Sequence, residues 1–156
     1  MNKTNKNFLF CLFITTLIMI TIYSPALSSP AFLTDDNALI NIPQLRHGIN
    51  LNSLQTIFTP GTHIDFYPIR DLSYMIDIGI FGAPFNGTNM FVFRLHNLIL
   101  LLFSSYIIYL ILNVYCSNKF TVLFLPIVWL INPFHSETWL WASARKDCLN
   151  IAFTLL

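Results

Sequence analysis

Residues 92–115 read VFRLHNLILLLFSSYIIYLILNVY and form the apolar run that decides the fold. The charged, imidazole and amide side chains of this run lie near its two ends: Arg94, His96, Asn97 and Asn113. An α-helix rises about 1.5 Å per residue, so about 20 residues cross the hydrocarbon core of a bilayer, which is about 30 Å thick. The run is long enough for one crossing. The sequence therefore predicts a membrane-spanning helix over residues 92–115.

The composition of the whole chain supports this class. Of its 156 residues, 55% are hydrophobic and 10% are charged, whereas soluble domains average about 25% charged residues. The chain is therefore predicted to be an integral membrane protein, with the lipid bilayer as one partner. A formal net charge of +1 argues against electrostatic attraction to nucleic acid as its main function. Cys11, Cys116 and Cys148 show no metal-ligand or disulfide spacing and are interpreted as small apolar residues.

Further apolar segments cover about residues 8–27, 120–134 and 148–156. Together with residues 92–115 they predict an all-α fold, a polytopic helical membrane protein with about four transmembrane helices. The segment 120–134 is short for a full crossing, and Pro126 is expected to kink it. Outer loops are expected at residues 28–91, with short surface helices, and at residues 135–147. Because the chain stops inside an apolar run, we expect residues 1–156 to be an incomplete membrane domain.

Two interpretations are open for the first apolar segment. It could be a cleaved signal peptide, because Ala26-Leu27-Ser28 resembles a small-residue cleavage site. A retained signal anchor is favoured, because the segment is long for a signal peptide and further spans follow. Lys3 and Lys6 precede it, so the positive-inside rule places the N-terminus in the cytoplasm and residues 28–91 outside it. The membrane would be the bacterial inner membrane or the endoplasmic reticulum.

The long first loop is predicted to contain two short helices. The first carries apolar residues at helical spacing from Leu51 to Phe58, and Gly61 is expected to end it. Its available N-caps are Asn50, Asn52 and Ser53. A second helix is expected to begin at Pro68 and to run through Gly79. Both helices are expected to have one apolar face and to lie along the membrane surface.

Four short blocks of sequence carry the functional signal. Residues 35–41 read DDNALIN, 66–74 read FYPIRDLSY, 93–98 read FRLHNL, and 132–147 read NPFHSETWLWASARKD. Charged and imidazole groups at the mouth of a membrane helix are costly to keep there, so they usually have a function. The order of the four blocks along the chain is more specific than any one block alone.

These blocks resemble, in order, those of the transmembrane and tetratricopeptide-repeat O-mannosyltransferases and their bacterial relatives. That family belongs to the C-type, polytopic membrane glycosyltransferases. The resemblance implies transfer of a sugar from a polyprenyl-phosphate sugar donor to a hydroxyl of a protein or glycan acceptor on the extracytoplasmic side. Asn132 departs from the family, which often has His before this Pro. The later spans and the tetratricopeptide repeats of the family are absent from these 156 residues.

Such a transfer needs a base for the acceptor hydroxyl. Asp35 and Asp36 are the candidate catalytic residues, because they follow the first span by a few residues. Adjacent side chains seldom share a direction, so one is expected to face the site and the other to be structural. The competing interpretation is a helix N-cap, because Thr34 and the two aspartates precede apolar residues 38–40.

The leaving phosphate needs cationic partners. Arg145 and Lys146 are the candidates, since a guanidinium grips two phosphate oxygens and an ammonium acts as a point charge. Their predicted place outside the cytoplasm runs against the positive-inside rule, which a bound anion would explain. The competing interpretation is an interfacial pair that snorkels to water, with Asp147 as the counter-ion.

The other candidate substrate-binding residues are His135, Glu137, Arg70, Arg94 and His96. His135 and Glu137 would position the donor sugar or the acceptor, unless Glu137 binds backbone and His135 only fills space. Arg70 is most simply explained by a surface ion pair with Asp71. Arg94 and His96, at the head of the span, could face the same cavity.

The remaining expectations concern anchors, cofactors and the rival function. Trp139 and Trp141 are expected to be interfacial anchors. No cofactor and no essential metal are expected, since no Gly-rich phosphate loop or metal-binding His pair is present. The alternative function is a non-catalytic helical membrane protein that binds or scaffolds partners, or an inactive fragment. Four spans rarely enclose the cavity that sugar transfer needs, so the 156 residues are expected to be inactive alone.

Overall fold

The structure is a computed structural model that describes residues 3–30, 36, 49–60, 66–82 and 90–156. Most of these residues are helical and none of them lies in a strand, which confirms the all-α prediction for the described part of the chain. The helices in chain order are α1 (Lys3–Leu27), α2 (Leu51–Ile57), α3 (Pro68–Phe81), α4 (Phe91–Tyr115), α5 (Lys119–Leu130), α6 (Phe134–Leu140), a 3₁₀ turn (Ala142–Ala144) and α7 (Arg145–Leu155).

Among the described residues, two helices are long and apolar enough to cross a membrane, Thr4–Leu27 and Phe91–Tyr115. They match the spans predicted at 8–27 and 92–115. The other predicted spans correspond to α5 with 12 residues and α7 with 11 residues. Twelve helical residues rise only about 18 Å, short of a core about 30 Å thick. A fold with four transmembrane helices therefore stays a prediction.

Helix α1 exposes most of its apolar surface. In the most apolar 18-residue stretch of this helix, only 11% of the residues are buried within the fold. Phe10, Phe13 and Ile22 are each more than half exposed. Pro25 lies in the last turn and has no N–H for the carbonyl of Thr21. The hydroxyl of Ser24 donates to that carbonyl at 3.0 Å. The helix therefore continues through the proline to Leu27.

Helix α4 runs antiparallel to α1 and to α5. Near the start of α1, the ring of Phe8 stacks on Tyr109 with centroids 4.0 Å apart, and Tyr109 donates a hydrogen bond to Asn5 at 2.6 Å. Towards α5, Ser105 donates to the carbonyl of Pro126 at 3.0 Å. The end of α1, the start of α4 and the end of α5 consequently lie together, and we call this place the Arg94 end.

The core near the Arg94 end consists of two apolar clusters. One is formed by Ile57, Tyr74, Met75, Met90, Phe93 and Ala142, and it joins α2, α3 and the 3₁₀ turn to the head of α4. The other includes Met19, Leu27, Leu98, Leu130 and Trp139. Trp139 is 1% exposed and meets Tyr23 edge to face with centroids 5.4 Å apart. Trp139 is therefore a core residue rather than the predicted interfacial anchor.

Two short helices, α2 and α3, occur where the sequence predicts them. Asn50 caps α2 and accepts from the backbone N–H of Ser53 at 2.8 Å. Pro68 occupies the first turn of α3, where its missing N–H costs nothing. Gly82 follows α3 with φ of 82°, a conformation that favours glycine. The predicted stop at Gly61 lies outside the described residues, and α2 ends earlier, at Ile57.

Candidate functional site

Arg94 holds the end of α1. Its side chain is fully buried, and it donates hydrogen bonds at 2.7–3.1 Å to the carbonyls of Ala26, Leu27, Ser29, Pro30 and Leu140. The last carbonyls of a helix lack partners within the helix, and the helix dipole makes them a favourable place for a cation. This guanidinium therefore meets the hydrogen-bonding need of the α1 terminus and joins it to α4 and α6.

Asp36 lies beside Arg94 and contacts the 3₁₀ turn. Its Oδ2 is 3.9 Å from Nη2 of Arg94, and its Oδ1 accepts from the backbone N–H of Ser143 at 2.9 Å. The residue is 1% exposed. Asp36 thus connects the first motif block to the third and the fourth. Its predicted companion, Asp35, lies outside the described residues.

Arg145 is the second buried guanidinium, also with no exposed side-chain surface. It donates to Oδ1 of Asn97 at 3.0 Å, to the carbonyl of Phe93 at 3.0 Å and to the hydroxyl of Ser73 at 3.3 Å. The guanidinium also lies over the ring of Tyr74, 4.3 Å from its centroid, in cation–π geometry. The first residue of α7 is therefore fixed against both α3 and α4.

Asp77 joins Arg145 to His96. Its Oδ2 lies 2.5 Å from Nη1 of Arg145, and its Oδ1 lies 2.8 Å from Nδ1 of His96. No hydrogen-bond donor among the described residues is aligned with Oδ2, so the partner of that atom is the positive charge of Arg145. The Asp77 side chain is 5% exposed, whereas that of His96 is 31% exposed. His96 is thus the least buried of three ionisable groups in a row.

Arg94 and His96 serve different sides of α4. Residues two apart on an α-helix are separated by about 200° around its axis. In agreement, Arg94 contacts the end of α1, whereas His96 contacts Asp77 of α3. The two predicted site residues therefore contact different elements of the fold.

Two further contacts close the cluster around the 3₁₀ turn. The Tyr74 hydroxyl donates to the carbonyl of Ala142 at 2.5 Å, and the amide of Asn97 donates to the carbonyl of Trp141 at 2.8 Å. Burial raises the pKa of Tyr74 well above its ordinary value, so its hydroxyl keeps the proton that it donates. These bonds position the backbone immediately before Arg145.

Arg70 and Lys146 meet at Tyr67. Arg70 pairs with Asp71 at 2.8 Å, and its guanidinium lies 4.8 Å from the centroid of the Tyr67 ring. The ammonium of Lys146 lies 5.3 Å from the same centroid. The side chains of Arg70 and Asp71 are 12% and 2% exposed, so this pair is more buried than the predicted surface ion pair. Lys146 is exposed.

His135 and Glu137 lie apart from the buried cluster. His135 is half-buried and packs against the Trp129 ring with centroids 4.5 Å apart. This burial lowers the pKa of His135. The Glu137 side chain is exposed. In the part of the chain that the structure describes, neither side chain makes a hydrogen bond or ion pair with the cluster.

An apolar groove of about 310 Å³ lies between α1, α5 and α6. Its walls include Met19, Ile22, Ile127 and Leu130, and Asn132 and Ser136 contribute polar groups. None of the charged residues of the cluster lines it. Over the described residues, no group of three or more His, Cys, Asp or Glu side chains is placed to hold a metal ion.

Asp77, Ser73, Tyr74 and Asn97 belong to the cluster but were missing from the sequence-based site. For Asp77 the sequence held one signal, since this acid interrupts the apolar positions of α3. Ser73, Tyr74 and Asn97 lie inside the second and third motif blocks, where their polar groups are surrounded by apolar residues. A polar group in such a setting must find a partner when it is buried.

Over the described residues, every regular element of the protein is helical. Two of these helices are long and apolar enough to cross a membrane. No family model, curated protein or solved structure matches this chain.

Proposed function

We propose that the chain is a membrane glycosyltransferase domain that transfers a sugar from a polyprenyl-phosphate donor to an acceptor hydroxyl on the extracytoplasmic side. One observation carries the proposal: side chains from all four motif blocks meet at the Arg94 end. Arg145 contacts Ser73 and Asn97, and Asp36 contacts Ser143 and lies beside Arg94. Blocks that lie far apart in the sequence therefore assemble at one end of the helices.

The contacts of Asp36 favour Asp35 as the base. A carboxylate that accepts from Ser143 and lies near Arg94 while 1% exposed is engaged inside the fold. A general base must instead reach the proton that it removes from the acceptor. Neighbouring side chains point in different directions, so the proposal assigns Asp36 a positioning role and Asp35 the catalytic one.

The contacts of Arg145 favour Lys146 as the group that meets the donor phosphate. The guanidinium of Arg145 is buried among Asp77, Asn97 and Phe93, so its role in the proposal is to fix the start of α7. Lys146 follows it, is exposed, and shares the Tyr67 ring with Arg70. Two cations at one ring would stabilise the negative charge that develops on a leaving phosphate.

Donor consumption tests the proposal. Membranes that contain the complete gene product would be supplied with radiolabelled polyprenyl-phosphate mannose or glucose. Asp35→Asn is expected to abolish consumption without lowering the thermal midpoint, because only the base is lost. Asp36→Asn is expected to lower the midpoint, because the negative charge beside the buried guanidinium of Arg94 is lost. The matched control is Asp147→Asn, an exposed acid expected to change neither. Full consumption by folded Asp35→Asn protein would reject the assignment.

A second candidate is a non-catalytic helical membrane protein. The burial of Arg94 and Arg145 favours it, because both guanidinium groups are occupied by partners within the fold. Folded wild-type protein that consumes no donor sugar and binds no polyprenyl phosphate would support this candidate over the first.

A further inference from the structure

The sequence leaves two fates open for the first helix, retention or cleavage after Ala26-Leu27-Ser28. We infer that Arg94 locks the end of α1 into the fold, so that α1 is retained and the cleavage motif is shielded. This inference is independent of the proposed catalytic function.

Arg94 locks the end of α1 through the set of backbone carbonyls to which it donates hydrogen bonds. Two of its acceptors, the carbonyls of Ala26 and Leu27, belong to the cleavage motif itself. Two others, those of Ser29 and Pro30, follow it directly. Cleavage after Ser28 would divide this set of acceptors between two chains. A fully buried guanidinium that loses partners is strongly unfavourable, so the folded protein opposes the separation.

The backbone at the motif is also in the wrong conformation for a protease. Residues up to Leu27 are helical, and the N–H of Ser29 donates to the carbonyl of Ala26 at 3.3 Å. Leu27 is 1% exposed, although Ser28 is exposed. Cleavage of folded protein requires local opening, and the free energy of that opening includes every contact that must break.

Contacts along the whole of α1 add to the lock. Phe8 and Met19 are buried in separate core clusters. Tyr23 packs on Trp139, and Asn5 accepts from Tyr109. Loss of α1 would expose apolar surface of Trp139 and Leu130 and leave the Tyr109 hydroxyl without this acceptor. Removal of α1 from the folded protein would therefore break each of these contacts.

The first experiment follows the intact chain in cells. The complete gene product would carry one epitope at each end, and its mass would be measured after membrane isolation. Both epitopes are expected on one polypeptide of unprocessed mass. A mature product that lacks the N-terminal epitope and begins at Ser29 would overturn the inference.

The second experiment tests the role of Arg94 in purified protein. Limited proteolysis with proteinase K would compare wild type, Arg94→Gln and the matched control Lys119→Gln, an exposed cation at the start of α5, far from the Arg94 end. Cleavage between residues 26 and 30 is expected to be about tenfold faster in Arg94→Gln and unchanged in the control. Equal rates in all three proteins would overturn the lock.

A third measurement decides the case if Arg94→Gln does not fold. Amide hydrogen exchange of the wild type would be followed at Ser28 and Ser29, whose N–H groups donate to Ser24 and Ala26. Both amides are expected to exchange at least about tenfold more slowly than in an unfolded chain. Exchange at the unfolded rate would show that the motif is open and would overturn the inference.

Discussion

Arg145 and Asp77 form a buried ion pair that joins the first turn of α7 to the third turn of α3. Their side chains are 0% and 5% exposed. A pair of this kind contributes little beyond an apolar contact when it is intact, but the loss of one partner leaves an uncompensated charge. The pair therefore acts mainly by fixing one arrangement of the two helices.

Asp77→Asn is expected to lower the free energy of unfolding by about 3–5 kcal/mol, because Arg145 would stay buried without its counter-ion. Thermal or denaturant unfolding in detergent measures the change. Asp147→Asn, an exposed acid next to the same helix start, is expected to stay within about 0.5 kcal/mol of wild type. Equal effects of the two substitutions would contradict the role of the ion pair.

His135 gives stability a dependence on pH. Burial lowers its pKa in the folded state, so the unfolded chain binds more protons in this range. Its contribution is complete above the unfolded pKa of about 6.5 and is lost as the pH falls towards the folded pKa. His135→Phe is expected to reduce the loss of stability between about pH 7 and pH 5. Thermal midpoints across this range, with Ser136→Ala as the neighbouring control, provide the check; an unchanged pH slope would contradict the expectation.

Trp139 and Trp141 are expected to differ sharply in their contributions. Trp139 is 1% exposed within the core, whereas Trp141 is 38% exposed. Trp139→Ala is expected to destabilise by about 3–5 kcal/mol. Trp141→Ala is expected to cost about 1 kcal/mol, since less of its surface leaves the protein interior. Unfolding midpoints of the two variants decide the matter, and a larger effect at Trp141 would contradict this assignment of the core.

The long apolar helix could be predicted to within one residue. Residues 92–115 carry an uninterrupted signal, and the structure places α4 at Phe91–Tyr115. The start of α3 at Pro68 was equally clear, because proline suits the first helical turn. Both signals are local. They depend on residues within the element and need no information about the rest of the fold.

The contacts of the site could not be predicted in this way. Arg94 was a candidate because a charge at the head of a span is costly, yet its acceptors are mainly backbone carbonyls, which no sequence pattern marks. Asp77 lies 68 positions before Arg145, and the sequence around either residue does not indicate that the two form an ion pair. The two tryptophans carried similar local signals, and only tertiary packing, such as that of Trp139 against Tyr23, separates Trp139 from Trp141.

Lys146→Gln tests the proposed phosphate contact. If the ammonium binds the donor phosphate, its loss is expected to raise the KM for the polyprenyl-phosphate sugar about tenfold, because one charge-assisted contact disappears. Initial rates of donor consumption across a range of donor concentrations measure this. Asp147→Asn is the adjacent exposed control. An unchanged KM with unchanged kcat would remove Lys146 from the site and would leave the buried role of Arg145 untouched.

The proposed outward placement of the first loop can be tested by labelling. A single cysteine would be introduced by Gln55→Cys or Lys119→Cys after replacement of Cys11, Cys116 and Cys148 by alanine; both introduced sites are exposed. Gln55 belongs to α2, which packs at the head of α4, whereas Lys119 follows the other end of α4. A membrane-impermeant maleimide applied from outside is therefore expected to label Gln55→Cys and to spare Lys119→Cys, as the positive-inside rule requires. The reverse pattern would place the motif blocks in the cytoplasm, where the proposed extracytoplasmic transfer could not occur.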